Sequence, residues 1–283
     1  MPSTLRHFFD AIKFKHTVFA LPFAYVAMVL AADGWPGWRV LGWVTLAMAS
    51  ARTLAMSVNR LADRLVDARN PRTAQRHLPT GLLAPRHMLL AAAIAGAVLA
   101  LSAWMLNPLC FRLAPLAALF LISYSYTKRF TWASHWILGF TDGIAAAGGW
   151  IAVRGRFDPP AFVLWFALTV WIAGFDLIYA CQDVDFDRRA GLHSFPARFG
   201  ITAALQAAKV CHVLTVIAFG ALGWMMGLGS FYWAGIVVVA ALFVYEHSLV
   251  SPTDLSRLDV AFFNVNGYIA LIVLAAVLGT RLL

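Results

Sequence analysis

The sequence has few charged residues and almost no glutamate. Charged side chains make up 12% of its 283 residues, against about 25% in a soluble domain, and Glu246 is the only glutamate. Three cysteines lack the CxxC spacing of a zinc or redox site, so they are expected to pack as buried apolar residues. Apolar residues make up 61% of the chain, and its mean hydropathy is +0.76. These figures exclude an ordinary soluble domain and predict an integral membrane protein.

Long apolar runs predict the membrane topology. Runs of about 17–25 residues are long enough to cross the hydrocarbon core as helices. We therefore predict an all-α membrane protein, a bundle of nine transmembrane helices, as a single domain over 1–283. An amphipathic interfacial segment at 1–16 would precede the bundle at about 17–282. The nine predicted spans are about 17–32, 39–58, 88–107, 109–127, 134–153, 161–181, 202–224, 229–249 and 260–280.

The net charge of +9 is distributed unevenly along the chain. Most Lys and Arg residues lie in the N-terminal segment and in the loops after the second, fourth, sixth and eighth spans. This asymmetry is the positive-inside pattern, and it predicts that the N-terminus and these loops are cytoplasmic. The expected location is the cell (inner) membrane, with a multi-pass topology. Contact with anionic lipid explains part of the positive charge, so membrane lipid is an expected partner and nucleic acid is not.

Two of the cytoplasmic loops carry paired carboxylates. Asp63 and Asp67 are four residues apart, and Asp183 and Asp187 have the same spacing. Side chains four residues apart lie on one helix face, and Asn59 extends the first ladder by one step. Like charges at this spacing destabilise a helix slightly, so a bound cation is expected. Mg²⁺ is the natural candidate, because it binds a few carboxylates and is completed by substrate phosphates.

Two further aspartates lie near the second pair, one before it and one between its members. Asp176 lies seven residues before Asp183, on the same predicted helix face and deeper in the membrane, where a carboxylate is rarely without function. We take it as a candidate for lining a pocket. Asp185 completes a D-V-D-F-D pattern, but Arg188 stands where an EF-hand loop needs glycine, and Ser194 where it needs glutamate. Calcium binding is therefore rejected.

Basic residues accompany the carboxylates on the predicted cytoplasmic side. Mg²⁺ that bridges the carboxylates to a diphosphate, with Arg and Lys on the remaining oxygens, accounts for both signs of charge. Tyr124 and Lys128 have i, i+4 spacing at the end of the fourth span, which alone is weak evidence because an interfacial Tyr is common. The basic residues concerned are Arg60, Arg64, Arg72, Arg76, Lys128, Arg129, Arg188, Arg189 and Arg198.

Together, these motifs resemble the UbiA superfamily of intramembrane aromatic prenyltransferases. NRLADRLVD (59–67) and DVDFD (183–187) are similar to the two Asp-rich motifs of that family. RTAQRHLPTG (72–81) is similar to its basic loop, and YSYTKR (124–129) to its Tyr-x-x-x-Lys element. The resemblance covers nearly the whole chain. One position departs from it, because many members have Asp directly after the first Asn, where this sequence has Arg60.

The resemblance implies a nine-helix bundle whose central cavity is capped by two Asp-rich cytoplasmic loops. It implies Mg²⁺-dependent transfer of a polyprenyl group from polyprenyl diphosphate to a ring carbon of a hydroxylated aromatic acid, in ubiquinone or menaquinone biosynthesis. The segment QDVDFDRRAGLHSFPARFG (182–200) resembles a 4-hydroxybenzoate polyprenyltransferase-like branch that includes members of the futalosine route. The acceptor is therefore either 4-hydroxybenzoate or 1,4-dihydroxy-6-naphthoate.

The resemblance also implies roles for particular residues. The implied metal ligands are Asn59, Asp63, Asp67, Asp183 and Asp187. The implied catalytic residues are Asp63, Asp67, Asp183, Asp187 and Lys128. The implied diphosphate-binding residues are Arg72, Arg76, Lys128, Arg129 and Tyr124.

Two other classes of membrane protein stay open as alternatives. A CDP-alcohol phosphotransferase also uses Asp-rich helix ends, but the segment DGIAAA (142–147) lacks the Arg of its signature, and its small residues favour close helix packing. An ion-coupled transporter could use the Asp pairs as ion ligands, although such sites tend to lie near the bilayer midplane at broken helices. The eight histidines show no metal-ligand spacing, and most are predicted to be interface or loop residues.

Overall fold

The structure is a computed structural model that describes residues 2–12 and 21–282. No β-strand occurs within these two ranges. Two short 3₁₀ helices, Tyr124–Arg129 and Cys181–Asp183, and a π-helical turn, Val260–Val265, interrupt or extend the α-helices. The α-helices in chain order are α1 (Pro2–Ala11), α2 (Leu21–Ala32), α3 (Trp38–Asp67), α4 (Pro85–Leu106), α5 (Pro108–Ser123), α6 (Ser134–Arg154), α7 (Pro159–Ala180), α8 (Val184–Ala190), α9 (Phe195–Phe199), α10 (Ile201–Met225), α11 (Ser230–Ser248) and α12 (Asn266–Arg281).

Within the described residues, eight helical segments are long and apolar enough to cross a membrane. They confirm the all-α membrane fold and match eight of the nine predicted spans. The remaining predicted span, 17–32, corresponds to α2, which is apolar but has 12 residues. Residues 13–20, which include part of that span and of the predicted interfacial segment, lie outside the described residues. The count of nine spans, the bounds of segment 1–16 and the single domain therefore stay predictions.

Contacts divide the described residues into two compact units, which we call the first unit (2–12 and 42–126) and the second unit (21–41 and 127–282). In the first unit, α4 and α5 pack against each other. A separate apolar cluster joins the end of α1 to the loop before α4, with Ile12, Leu83 and Met88 almost fully buried. This cluster holds the N-terminal helix to the loop that follows α3.

The second unit contains the larger apolar core. Helix α6 packs against α7 and α2, and α10 packs against α7 and α11. Glycines allow the close approach of α6: a Cβ at Gly139 would run into the carbonyl oxygen of Thr169, and one at Gly149 into that of Ala24. Gly143, inside the small-residue segment 142–147, is equally close to the side chain of Trp165, so this part of α6 serves helix packing, as its composition predicts.

Candidate active site

The first acidic motif lies on one continuous helix. Helix α3 continues to Asp67, so Asn59, Asp63 and Asp67 share one face, as their spacing predicts. Asn59 Nδ2 donates a hydrogen bond of 3.0 Å to Asp63 Oδ2. Asp67 is the last residue of the helix, where the negative end of the helix dipole disfavours a carboxylate. Arg76 Nη1 compensates, because it lies 2.8 Å from both carboxylate oxygens of Asp67.

The loop after α3 is built to return Arg76 to the helix end. The carbonyl oxygen of Asn70 accepts hydrogen bonds from the N–H groups of Thr73 and Ala74, and Asn70 Oδ1 accepts one from the N–H of Arg72. Thr73 Oγ1 then donates to the carbonyl oxygen of Asp67 at 3.1 Å. These local bonds form a compact turn, and the turn explains how a side chain nine positions after Asp67 reaches its carboxylate.

A pocket of about 310 Å³ opens beside this loop, within the first unit. Three arginines line it, Arg60, Arg72 and Arg76, which suits an anionic ligand. Asp10 and His77 also line it. The pKa of His77 is lowered below its usual value, mainly by burial and secondly by the neighbouring His7. Arg72 and Arg76, two of the predicted diphosphate-binding residues, therefore lie around one cavity.

Arg60, the departure from the family pattern, has a structural role here. Its side chain is 5% exposed, and Arg60 Nε donates to the carbonyl oxygen of Ala11 at 2.8 Å. Arg60 Nη1 also contacts Asn59 Oδ1 at 3.3 Å. At the position where the resemblance implies Asp, this chain thus carries a cation that fixes the end of α1 and touches Asn59, the first member of the acidic ladder.

The second acidic motif lies at the end of α7, but not on one continuous helix. The 3₁₀ helix Cys181–Asp183 ends α7, and α8 begins at Val184. The expected single helix face is therefore interrupted at Asp183. Asp183 and Asp187 are nevertheless both buried, at 8% and 2% exposure, whereas Asp185 is exposed, as its helix position predicts.

Lys128 supplies a cation to the second motif. Its Nζ lies 3.7 Å from Asp187 Oδ2, a buried oxygen that accepts no hydrogen bond within the described residues. The carbonyl oxygen of Lys128 accepts a 2.7 Å hydrogen bond from the N–H of His193, in the loop that follows α8. The segment Tyr124–Arg129 is a 3₁₀ helix rather than the end of an α-helix, so the α-helical i, i+4 spacing expected of Tyr124 and Lys128 does not apply.

Asp176, the predicted pocket residue, forms a pair with a histidine. Asp176 Oδ2 lies 2.6 Å from Nδ1 of His135, whose side chain is fully buried at the start of α6. Nε2 of His135 accepts a hydrogen bond from the N–H of Phe195 at 3.2 Å. Because Nε2 acts as an acceptor, Nδ1 carries the proton and donates it to Asp176. The Asp176 side chain keeps 21% of its surface exposed, so one side of the carboxylate is open.

The acidic side chains fit Mg²⁺ chemically. Carboxylate and carboxamide oxygens are the ligands that Mg²⁺ prefers, and the buried Asp187 Oδ2 receives no hydrogen bond from any described residue. In the part of the chain that the structure describes, no three His, Cys, Asp or Glu side chains converge into a complete metal cage. Mg²⁺ commonly binds through one or two carboxylates and is completed by substrate phosphates.

Comparison with known proteins defines the class as an intramembrane prenyltransferase. The model of the UbiA prenyltransferase family matches residues 20–272, so the chain belongs to this family. A 4-hydroxybenzoate octaprenyltransferase of Aliivibrio salmonicida is 31% identical over 89% of each chain. A 4-hydroxybenzoate solanesyltransferase of Synechocystis sp. is 31% identical over 89% of this chain and 86% of its own.

Solved structures agree with the fold. The apo structure of a UbiA homologue from Aeropyrum pernix K1 matches with a TM-score of 0.86 and 30% identity, and covers 94% of this chain and 98% of that chain. A UbiA homologue from Archaeoglobus fulgidus, bound to GPP and Mg²⁺, matches with a TM-score of 0.75 and 19% identity over 98% of this chain and 100% of that chain. The second likeness supports the fold alone.

Sequence reasoning missed three features of this protein. Arg52 lies in the middle of α3, and its buried Nε has no hydrogen-bond partner within the described ranges; a lone charge inside an apolar span was the available signal. Most histidines were predicted to be interface or loop residues, and the exceptions His135 and His212, which are buried in α6 and α10, were not identified. Glu246 is fully buried in α11, and the available signal was that it is the only glutamate in the sequence.

Proposed function

We propose that this member of the UbiA family transfers a polyprenyl group from polyprenyl diphosphate to a ring carbon of 4-hydroxybenzoate, with Mg²⁺ as cofactor. One repeated observation carries the proposal. In each unit, a buried carboxylate ends an acidic motif and touches a cation of the set implied for the diphosphate: Asp67 with Arg76, and Asp187 with Lys128. A diphosphate that carries Mg²⁺ offers partners to both signs at once.

The acidic residues would hold the metal through their oxygens. The proposed ligands are Asn59, Asp63, Asp67, Asp183 and Asp187. Bound Mg²⁺ supplies Lewis-acid stabilisation of the departing diphosphate. The hydrogen bond from Asn59 to Asp63 orients both side chains in advance, so that a ligand need not order them.

The basic residues would bind and neutralise the leaving group. Departure of diphosphate breaks the allylic C–O bond and leaves both electrons on oxygen, so cations beside that oxygen lower the barrier. Lys128, Arg72 and Arg76 are proposed for this role, and Arg129 and Tyr124 for contacts to the outer oxygens. Arg72 and Arg76 already line one pocket.

Asp176 suits the acceptor. The open side of the Asp176 carboxylate can accept a hydrogen bond from the phenolic hydroxyl, and His135 holds the carboxylate in place. Two relatives are named as 4-hydroxybenzoate prenyltransferases, which favours 4-hydroxybenzoate over 1,4-dihydroxy-6-naphthoate as the acceptor.

The membrane setting follows from the donor substrate. Each CH₂ group transferred from water to lipid gains about 0.8 kcal/mol, so a polyprenyl diphosphate stays in the bilayer with its headgroup at the surface. The reaction then requires basic and acidic residues at the interface. We infer from the positive-inside pattern that the N-terminus and the motif-bearing loops face the cytoplasm of a cell that holds the protein in its inner membrane.

The test uses purified protein in detergent with geranyl diphosphate, Mg²⁺ and either 4-hydroxybenzoate or 1,4-dihydroxy-6-naphthoate. We expect a geranylated 4-hydroxybenzoate by mass spectrometry, and its loss in both Asp63→Asn and Asp187→Asn. Product with the naphthoate alone would keep the prenyltransferase and overturn the acceptor. Folded protein that releases no diphosphate with either acceptor would overturn the proposed reaction. The family match already argues against a CDP-alcohol phosphotransferase or a transporter.

A further inference from the structure

A group of buried polar side chains lies in the second unit, outside the acidic motifs. Glu246 on α11 is fully buried, and its Oε1 accepts a 2.9 Å hydrogen bond from Nδ2 of Asn266. Asn266 Oδ1 in turn accepts a 2.8 Å hydrogen bond from Nε1 of Trp171, on α7. Asn266 therefore joins α7, α11 and the start of α12 through one amide.

Two histidines complete this buried group. His212 Nδ1 lies 3.6 Å from Glu246 Oε2 and 3.0 Å from His247 Nε2. The His212 ring also stacks on Phe243, with ring centroids 4.2 Å apart. Ionisable groups inside a membrane span are rare and expensive, so a fully buried glutamate that is surrounded in this way is expected to have a purpose.

Asn266 also stabilises the π-helical turn Val260–Val265. A π turn displaces backbone carbonyl groups from their α-helical partners, and within a membrane these groups must be satisfied by the protein itself. Nδ2 of Asn266 lies 3.1 Å from the carbonyl oxygen of Ala261 and 3.2 Å from that of Phe262. The amide thus serves the glutamate and the two carbonyl groups together.

The π turn places an aromatic side chain beside the acidic face of α7. Phe262 stacks on Tyr179 with a centroid distance of 4.1 Å and an interplanar angle of 28°. It also meets the edge of Phe175 at 5.2 Å. Tyr179 lies three residues after Asp176 and four before Asp183, so the stacked pair lies along the stretch of α7 between these two carboxylates.

We propose that Asn266, held by Glu246, is a positioning residue that keeps Phe262 stacked on Tyr179, and that this pair protects the allylic cation from water. The inference rests on the proposed prenyl transfer. Once the C–O bond of the diphosphate has broken, the cation has two fates. Attack by the ring carbon forms a C–C bond and releases the ring proton. Attack by water forms a C–O bond, releases a proton and gives a prenyl alcohol.

Both properties of the aromatic pair favour the first fate. Aromatic faces attract a cation, most strongly where water is excluded, whereas they offer water little hydrogen bonding. A loosened π turn frees Phe262 to leave Tyr179, and water then reaches the cation more often. Substitutions that loosen the π turn or remove the ring of Phe262 should therefore raise the ratio of prenyl alcohol to prenylated acceptor, and not merely lower the stability of the protein.

The experiment measures this division in water enriched in ¹⁸O, with geranyl diphosphate, Mg²⁺ and 4-hydroxybenzoate. An ¹⁸O atom in the alcohol shows that water attacked carbon after the C–O bond broke. A phosphatase would break the P–O bond instead and leave the alcohol unlabelled. We expect Asn266→Ala to raise the ratio of labelled alcohol to prenylated acceptor about three- to tenfold. Phe262→Leu should reproduce this rise with Asn266 intact. Glu246→Gln keeps an acceptor oxygen for Asn266 and should stay near the wild-type ratio.

Tyr232→Phe is the matched control. It removes a buried 2.8 Å hydrogen bond to the carbonyl oxygen of Phe219, elsewhere in the second unit. It should lower the melting temperature without a change in the product ratio. An unchanged ratio in Phe262→Leu overturns the inference, whether or not Asn266→Ala folds. A rise in Tyr232→Phe equal to that in Asn266→Ala also overturns it, and wild-type protein that releases no diphosphate removes the proposed function together with the inference.

Discussion

Arg76 Nη1 lies 2.8 Å from both carboxylate oxygens of Asp67. These are the oxygens that the proposed function assigns to Mg²⁺, so the guanidinium and the metal would compete for one carboxylate. The same guanidinium is proposed to bind the diphosphate. With a diphosphate bound, Arg76 could exchange the carboxylate for a phosphate oxygen, which would leave the carboxylate available to the metal.

Arg76→Ala should consequently separate metal binding from substrate binding. Without substrate, Mn²⁺ should bind about tenfold more tightly, because a charge-assisted contact to its ligand has been removed. The KM for geranyl diphosphate should rise at the same time. Electron paramagnetic resonance of free Mn²⁺ measures the first effect, and steady-state kinetics measures the second. Arg69→Ala, an exposed residue of the same loop, is the control. Unchanged or weaker Mn²⁺ binding in Arg76→Ala would sink the competition argument.

Lys128 offers a second test, because it touches the most deeply buried carboxylate of the second motif. Its Nζ lies 3.7 Å from Asp187 Oδ2. Lys128→Met should lower kcat about a hundredfold through loss of charge at the leaving group, and Lys128→Arg should recover part of it. Arg257→Met, which removes an exposed cation from the loop after α11, should leave kcat unchanged. Equal losses in Lys128→Met and Arg257→Met would point to net charge rather than to position.

Local patterns in the sequence were sufficient for eight of the nine predicted spans and for the first acidic ladder. Hydropathy predicts α3 as a span, and i, i+4 spacing predicts the contact between Asn59 and Asp63, because both depend on residues within a few turns of each other. The second motif was predicted less well. The 3₁₀ helix at Cys181–Asp183 breaks the helix there, and no glycine or proline within it signals the change.

Contacts between residues distant in sequence could not be predicted in this way. His135 and Asp176 are 41 positions apart, and Trp171 and Asn266 are 95 positions apart. Their pairing depends on which helices pack together, and hydropathy does not predict which helices are neighbours. Composition gave one clue that was not used: a single glutamate in a membrane span indicates a buried polar group.

The pair of His135 and Asp176 leads to a prediction about the acceptor. Asp176→Asn should lower kcat/KM for 4-hydroxybenzoate about a hundredfold, since a carboxylate that can accept a proton is replaced by an amide. Diphosphate release in the absence of acceptor should stay near the wild-type rate. His135→Ala should lower kcat/KM for 4-hydroxybenzoate about ten- to hundredfold, because it removes the group that orients the Asp176 carboxylate. If release without acceptor falls as far as transfer in Asp176→Asn, this residue acts on the donor instead.

Arg60 is predicted to anchor the N-terminal helix rather than to serve the metal. Arg60→Met removes the hydrogen bond to the carbonyl oxygen of Ala11 and should destabilise the docked helix by about 1–3 kcal/mol. Hydrogen–deuterium exchange in residues 2–12 should accelerate. Arg69→Met, on the exposed surface of the neighbouring loop, should leave exchange in that segment unchanged. Equal exchange in wild type and Arg60→Met would show that the apolar cluster around Ile12 suffices.

Docking of α1 should also depend on pH through His77. Burial, and then the neighbouring His7, lowers the pKa of His77 from its usual value of 6.5. Arg60 opposes its protonation as well, whereas Asp10 favours it. The docked form therefore binds a proton less readily than the undocked form. The stabilisation is complete above pH 6.5 and is lost as the pH falls through the lowered pKa.

Exchange in residues 2–12, corrected for the intrinsic rate, should accordingly rise between about pH 7.5 and about pH 5.5. In His77→Gln the side chain stays polar and cannot be protonated, so the rise should shrink markedly. Thr80→Ala, an exposed change three residues later in the same loop, should keep the wild-type dependence on pH. A His77→Gln variant with an unaltered rise would overturn the assignment of the pH dependence to His77.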